Sequence, residues 1–214
     1  MASTRLQIYN DALQVCGERM LLALTENRPP RFYLDNVWNN NGVNHCLEKG
    51  MWTFATRTSM LTPNPSLAPS FGYRQGYNKP TDWAGTVAMC SDEYFKSPLV
   101  AYEDEAAIWF ADIEPIYVRY VSNDPAYGQN LALWPSYFAD YVSAHFAAKI
   151  VNSITGDKAK RDEVAANEIT QLRNASNMDM KQQPTRFPAE GSWNKSRYGR
   201  LNWRDGGNRG QLYG

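Results

Sequence analysis

The sequence predicts an α+β fold: an antiparallel helical bundle with a small antiparallel β-sheet inserted into it, followed by an extended C-terminal arm. Three observations predict it. Apolar residues recur at helical spacing over about 4–16, 31–49, 135–154 and 158–180. Between these pairs, over about 52–121, the pattern changes to alternation and to short apolar runs broken by Pro and Gly. From 181 to 214 neither period is present. Residues 1–180 therefore read as one domain and 181–214 as its arm.

The first helix starts at Ser3 or Thr4, either of which can cap it, and carries Leu6, Tyr9, Leu13 and Cys16 on one stripe. Gly17 suits the left-handed position after its end. Residues 18–30 connect, with Met20, Leu21, Leu22 and Leu24 expected to tuck against the core and Pro29-Pro30 stiffening the exit. The second helix carries Leu34, Val37, Trp38 and Leu47 and ends at Gly50. Asn39-Asn40-Asn41-Gly42 weaken its middle, the glycine alone costing about 0.8–1 kcal/mol relative to alanine.

Alternation of Trp52, Phe54, Thr56, Thr58 and Met60 predicts a strand with one buried face. Residues 62–80, with Pro63, Pro65, Pro69, Pro80, Gly72 and Gly76, read as mostly loop. Four further short strands follow: Thr86 to Met89, Leu99 to Glu103, Ala107 to Phe110 and Ile116 to Val121. Glu103-Asp104-Glu105 falls at the expected hairpin turn; it lacks the alternating oxygen ligands and glycine of a calcium loop, so it reads as solvated.

Pro135 opens the third helix. From Phe138 to Ile154 its apolar residues cover far more than the roughly 100° stripe of a surface helix. Burial on several sides in so small a domain predicts a subunit interface beside the internal core, at Phe138, Tyr141, Phe146 and Ile150. The fourth helix, capped by Asp157, carries Ala165, Ile169 and Leu172 on a narrow stripe among charged residues.

The 43% hydrophobic and 21% charged content of the 214 residues is that of an ordinary folded protein. Seven Trp and thirteen Tyr favour extensive contact surfaces as well as a core. No run approaches the roughly 18 apolar residues of a membrane helix, and the first residues lack a signal-peptide stretch; a cytosolic chain is expected. Cys16, Cys46 and Cys90 are odd in number and scattered, which predicts small buried hydrophobes rather than a disulfide framework or metal cluster.

His45 and His145 lie on predicted helices among apolar neighbours and read as core or interface histidines. There is no HExxH, GxSxG, Walker or Rossmann signature. Nothing sets Glu18 and Glu26 apart from solvated acids. No catalytic residue, metal ligand or cofactor is therefore expected.

The arm is the most distinctive segment. Seven basic residues stand against two acidic ones, a net +5, so with an overall charge of zero the first 180 residues carry −5. Its arginines are interleaved with aromatics and separated by Gly and Asn. Such a segment cannot bury a core alone, yet holds many anchors. It predicts an arm that orders on a partner, through Trp193, Arg197, Tyr198, Arg200, Trp203, Arg204 and Arg209. The same mixture suits single-stranded nucleic acid, where bases stack on aromatics, although the acidic remainder and a pI near 6.7 weigh against a dedicated binder.

Ordered blocks carry a family resemblance. Asn10-Asp11-Ala12-Leu13 with Gly17-Glu18 and Leu22-Ala23-Leu24-Thr25-Glu26 comes first; Cys46-Leu47-Glu48-Lys49-Gly50-Met51-Trp52-Thr53-Phe54-Ala55 is the most recognisable. Tyr77-Asn78-Lys79-Pro80-Thr81-Asp82, then Tyr117-Val118-Arg119-Tyr120-Val121 with Asp124, then Trp134 with Phe138, complete the series. Together they span residues 6 to about 175 and resemble the head-to-tail adaptors of tailed bacteriophages, called tail tubular protein A in short-tailed phages. The resemblance implies a dodecameric ring at the head–tail junction of the virion, assembled in the host cytoplasm. That ring would dock on the portal protein, join it to a tail nozzle or tail-tube protein, and pass genomic DNA through its lumen without sequence-specific contact. It brings no catalytic residues. The arm matches none of these blocks, so its assignment to the portal rests on its composition.

Overall fold

The computed structural model describes residues 3–67 and 71–182. Among them are five α-helices and two separate three-stranded antiparallel sheets, a mixed α+β fold. This corrects the expected bundle with one inserted sheet. The helices gather around one of their number, and the strands form two layers with a core of their own.

Helix α1 (Arg5–Cys16) has the expected ends: the Thr4 hydroxyl accepts from the Gln7 amide at 3.2 Å, and Gly17 adopts φ 79°. Its buried face is Ile8, Tyr9, Ala12, Leu13 and Cys16, so Ile8 replaces Leu6 on the stripe. The single helix expected over 31–49 is two. Helix α2 (Pro29–Asn39) ends at the asparagine run, Asn41 turns left-handed at φ 63°, and α3 (Gly42–Glu48) starts after it. Asparagine tolerates that conformation better than most residues, which is why a run that merely weakens a helix can break it.

Trp52 and Phe54 do not begin a strand. Thr53–Ala55 form a 3-10 turn, Trp52 is buried, and its indole donates to the Cys46 carbonyl at 2.9 Å. The first sheet has the order β1 (Thr56–Leu61), β6 (Ile116–Ser122), β3 (Trp83–Cys90). The second has the order β2 (Gln75–Asn78), β5 (Ile108–Ala111), β4 (Glu103–Glu105). Strand β2 lies in the stretch expected to be loop. Glu103-Asp104-Glu105 is an exposed edge strand, not a turn; the chain reverses beyond it, where Ala106 sits at φ 46°.

Two cores result. One gathers Tyr77, Met89, Trp109, Ala111, Ile116, Val118 and Tyr120 from both sheets. The other joins the helices, with Val121 of β6 and Trp52 contributing to it.

At the centre of the helical core runs α4 (Ser136–Ile154), in contact with α1, α2, α3 and α5 (Lys158–Gln182). Its apolar circumference is covered by the chain's own elements. The expected interface residues are interior ones: Phe138 and Phe146 are 0% exposed, Tyr141 and Ile150 1%. The structure therefore moves them from a subunit surface to the monomer core. On α5 the buried stripe is Val164, Ala175 and Asp179, with Leu172 half-buried, whereas Ala165 is exposed and Ile169 62% exposed. The stripe is thus rotated from the expected one.

Candidate functional site

The arm residues Trp193, Arg197, Tyr198, Arg200, Trp203, Arg204 and Arg209 lie outside the described residues. Candidate sites within the described residues are a surface edge and a cleft.

The edge is the connector between α1 and α2. Leu21 alone of its four expected core residues is buried, at 2% exposure. Leu22 is 81% exposed, and Met20, Leu24 and Phe32 beside them are exposed as well. Polar straps hold this loop. The Asn10 side chain donates to the Leu21 carbonyl at 3.1 Å and accepts from its amide at 2.8 Å, pinning Leu21 inward. The Glu26 carboxylate accepts from the Leu22 amide at 2.9 Å. Arg28 donates to the Arg19 carbonyl at 3.1 Å and Arg31 to that of Leu24 at 3.2 Å.

Glu18 and Glu26 flank the same Arg28 guanidinium, at 3.6 and 3.8 Å. The straps extend into α2, where Asp35 receives Arg5 at 2.7 Å, Arg31 at 2.9 Å and the Tyr9 hydroxyl at 2.9 Å. Burial pushes the Tyr9 phenol well above its ordinary range, so it stays a neutral donor to Asp35. The outcome is a preformed loop with a polar frame and an apolar crest. Sequence reasoning missed it because a leucine-rich connector looks the same whether it tucks in or stands out. The spacing of Asn10 to Leu21 carries no local signal.

The cleft, about 470 Å³, lies where α2, α3 and α4 meet and is lined by Asn36, Asn40, His45, Glu48, His145 and Lys149, among others. Here the two histidines face one another, ring centroids 4.8 Å apart and planes 21° from parallel. His145 is 2% exposed, and its Nδ1 lies 2.6 Å from Glu168 of α5. Its Nε2 has no hydrogen-bond partner among the described residues. Burial first, then the charge near His145, Lys49 and Lys149, lowers the His45 pKa; Glu48 opposes. The two rings come from α3 and α4, about 100 positions apart in the chain, so their stacking was not legible in the sequence.

Among the described residues no group of three or more His, Cys, Asp and Glu could hold a metal ion. Cys16, Cys46 and Cys90 are all buried; burial pushes the Cys16 thiol up to about 11, away from nucleophilic character at neutral pH. No helix of the described residues is long and apolar enough to cross a membrane.

The quoted sequence blocks have identifiable structural jobs. Asn10 and Glu26 strap the connector, and Trp52 ties α3 to the following turn. Asp82 gathers Arg57, Tyr120 and Ser122 at 2.5–3.1 Å. The Trp134 indole donates to the Gly128 carbonyl at 2.8 Å. No family model matches this chain, and no curated protein matches it.

Proposed function

We propose that this chain is a structural adaptor of a tailed-phage virion, whose copies form a ring that docks on the portal protein and links it to the tail. Tail nozzle or tail-tube subunits bind the far side, and genomic DNA passes through the lumen. The reading assigns the chain no chemical step.

The observation that carries it is the strapped connector. Exposed apolar residues are common singly, but several on one loop whose backbone is strapped by side-chain hydrogen bonds are the form of a surface prepared for contact. A ring needs a heterologous contact that closes by rotation, and a rigid edge fixes the angle at which one copy meets the next. The division of charge, −5 on residues 1–180 and +5 on the arm, supports a cationic extension that reaches a separate partner.

The test is native mass measurement of the full chain, alone and with purified portal rings. Portal-bound rings of this chain are the expected result, and removal of residues 183–214 is expected to abolish docking while leaving a folded domain. A full chain that never associates with portal overturns the adaptor reading. A truncated chain that docks normally overturns the role of the arm alone. Binding to single-stranded DNA that weakens steeply between two salt concentrations would favour the nucleic-acid module instead.

A further inference from the structure

The His45–His145 stack lies apart from the connector and from everything the adaptor reading uses. We infer that it is an acid-sensitive joint between α3 and α4: below about pH 6.5 His45 takes up a proton and α3 loosens from α4.

The geometry sets the argument. Two parallel imidazoles at 4.8 Å are compatible while at most one is charged. Three elements face the pair with ionisable groups. Helix α3 and its C-cap supply Glu48 and Lys49, α4 supplies Lys149 and the Tyr141 phenol, and α5 supplies Glu168. Glu168 contacts His145 directly, its carboxylate 2.6 Å from the His145 Nδ1. A charge on His45 is opposed first by burial and then by His145, Lys49 and Lys149, with only Glu48 in its favour. His145 cannot turn away, since it is buried between Tyr141 and Phe146 with rings 6.5 and 6.4 Å off. His45 is only half-buried, on a seven-residue helix that begins at a left-handed asparagine. The weaker anchor is therefore α3, and it is α3 that yields.

The sign follows from linkage. A histidine whose folded pKa lies below its ordinary value binds protons more readily once released. Stability from this joint is complete above about pH 6.5 and is lost as pH falls toward the lower folded value.

The test is amide hydrogen exchange of the full-length protein over residues 42–48 at pH 7.5, 6.5 and 5.5, corrected for intrinsic rates. One differential proton changes an opening equilibrium by at most about tenfold per pH unit. The wild-type chain should approach that rise between pH 6.5 and 5.5, while His45→Gln, which keeps a polar side chain without the charge, should change less than about twofold. Equal pH dependence in wild type and His45→Gln would overturn the inference. So would acid loosening confined to helices other than α3. If His45→Gln folds poorly, His45→Asn read in the same assay decides the matter.

Discussion

Asp82, just ahead of β3, collects donors from three directions: the Ser122 hydroxyl at 2.5 Å, Arg57 at 3.0 Å and the Tyr120 hydroxyl at 3.1 Å. Burial alone raises its pKa, but these hydrogen bonds outweigh burial and hold it below the ordinary 3.8. Tyr120, for its part, is pushed up to about 12, first by burial and then by Asp82, so it remains a donor throughout the accessible range. A depressed carboxylate contributes stability above its unfolded pKa and loses it as pH falls through the folded one. Asp82→Asn should therefore flatten the loss of stability below about pH 4 and cost about 1–3 kcal/mol at pH 7, read from urea midpoints across pH. Asp179 plays a comparable part at the far end of α5, accepting from the Thr53 amide and hydroxyl and from Tyr137. A buried acid thus fastens the last turns of a polar helix.

At the scale of elements, close approach decides where helices can begin and turn. A Cβ on Gly42 would lie 2.6 Å from the Val37 carbonyl and 3.0 Å from the Phe146 ring. Only a residue without a side chain lets α3 start against α2 and α4 together. Gly42→Ala should lower stability by about 1–3 kcal/mol in denaturant unfolding, as overpacked sites do. On α5 the two candidate stripes make opposite forecasts. Ala175, at 0% exposure, has no room to grow, so Ala175→Leu should cost about 1–3 kcal/mol. Ile169 faces solvent, and Ile169→Gln should stay within about 0.5 kcal/mol. The opposite order would mean that α5 packs on its other face.

At the largest scale, the described residues form one helix enclosed by four others, beside two sheets that share their own core. Enclosure of α4 removes its apolar faces from the surface, while Leu22 and Phe32 stay exposed and are the residues the proposed contact would use. Replacing Leu22 and Phe32 together by Asp should leave unfolding within about 0.5 kcal/mol of wild type, since both side chains are exposed. The same change should abolish self-association and portal-bound rings in sedimentation velocity. Rings that persist would exclude this edge as the contact between copies.

Local chemistry was legible residue by residue. The Thr4 cap and left-handed Gly17 bound α1, the asparagine run marks a weak point, and the strands Thr86 to Met89, Ala107 to Phe110 and Ile116 to Val121 lie within or nearly within observed ones. These features depend on neighbours a few positions away, and such neighbours are visible in a linear chain. The long-range partners were not. Periodicity reports that α4 is apolar on all sides but not whether its own chain or another copy covers it, and only the packing of α1, α2, α3 and α5 answers that. The same holds for strand β2 amid glycines and prolines, for the rotated stripe of α5, and for Asn10 pinning Leu21 inward while Leu22 stands exposed. Burial is a property of what lies across the gap, and the sequence alone determines which surfaces seek cover while the tertiary structure decides which of them find it.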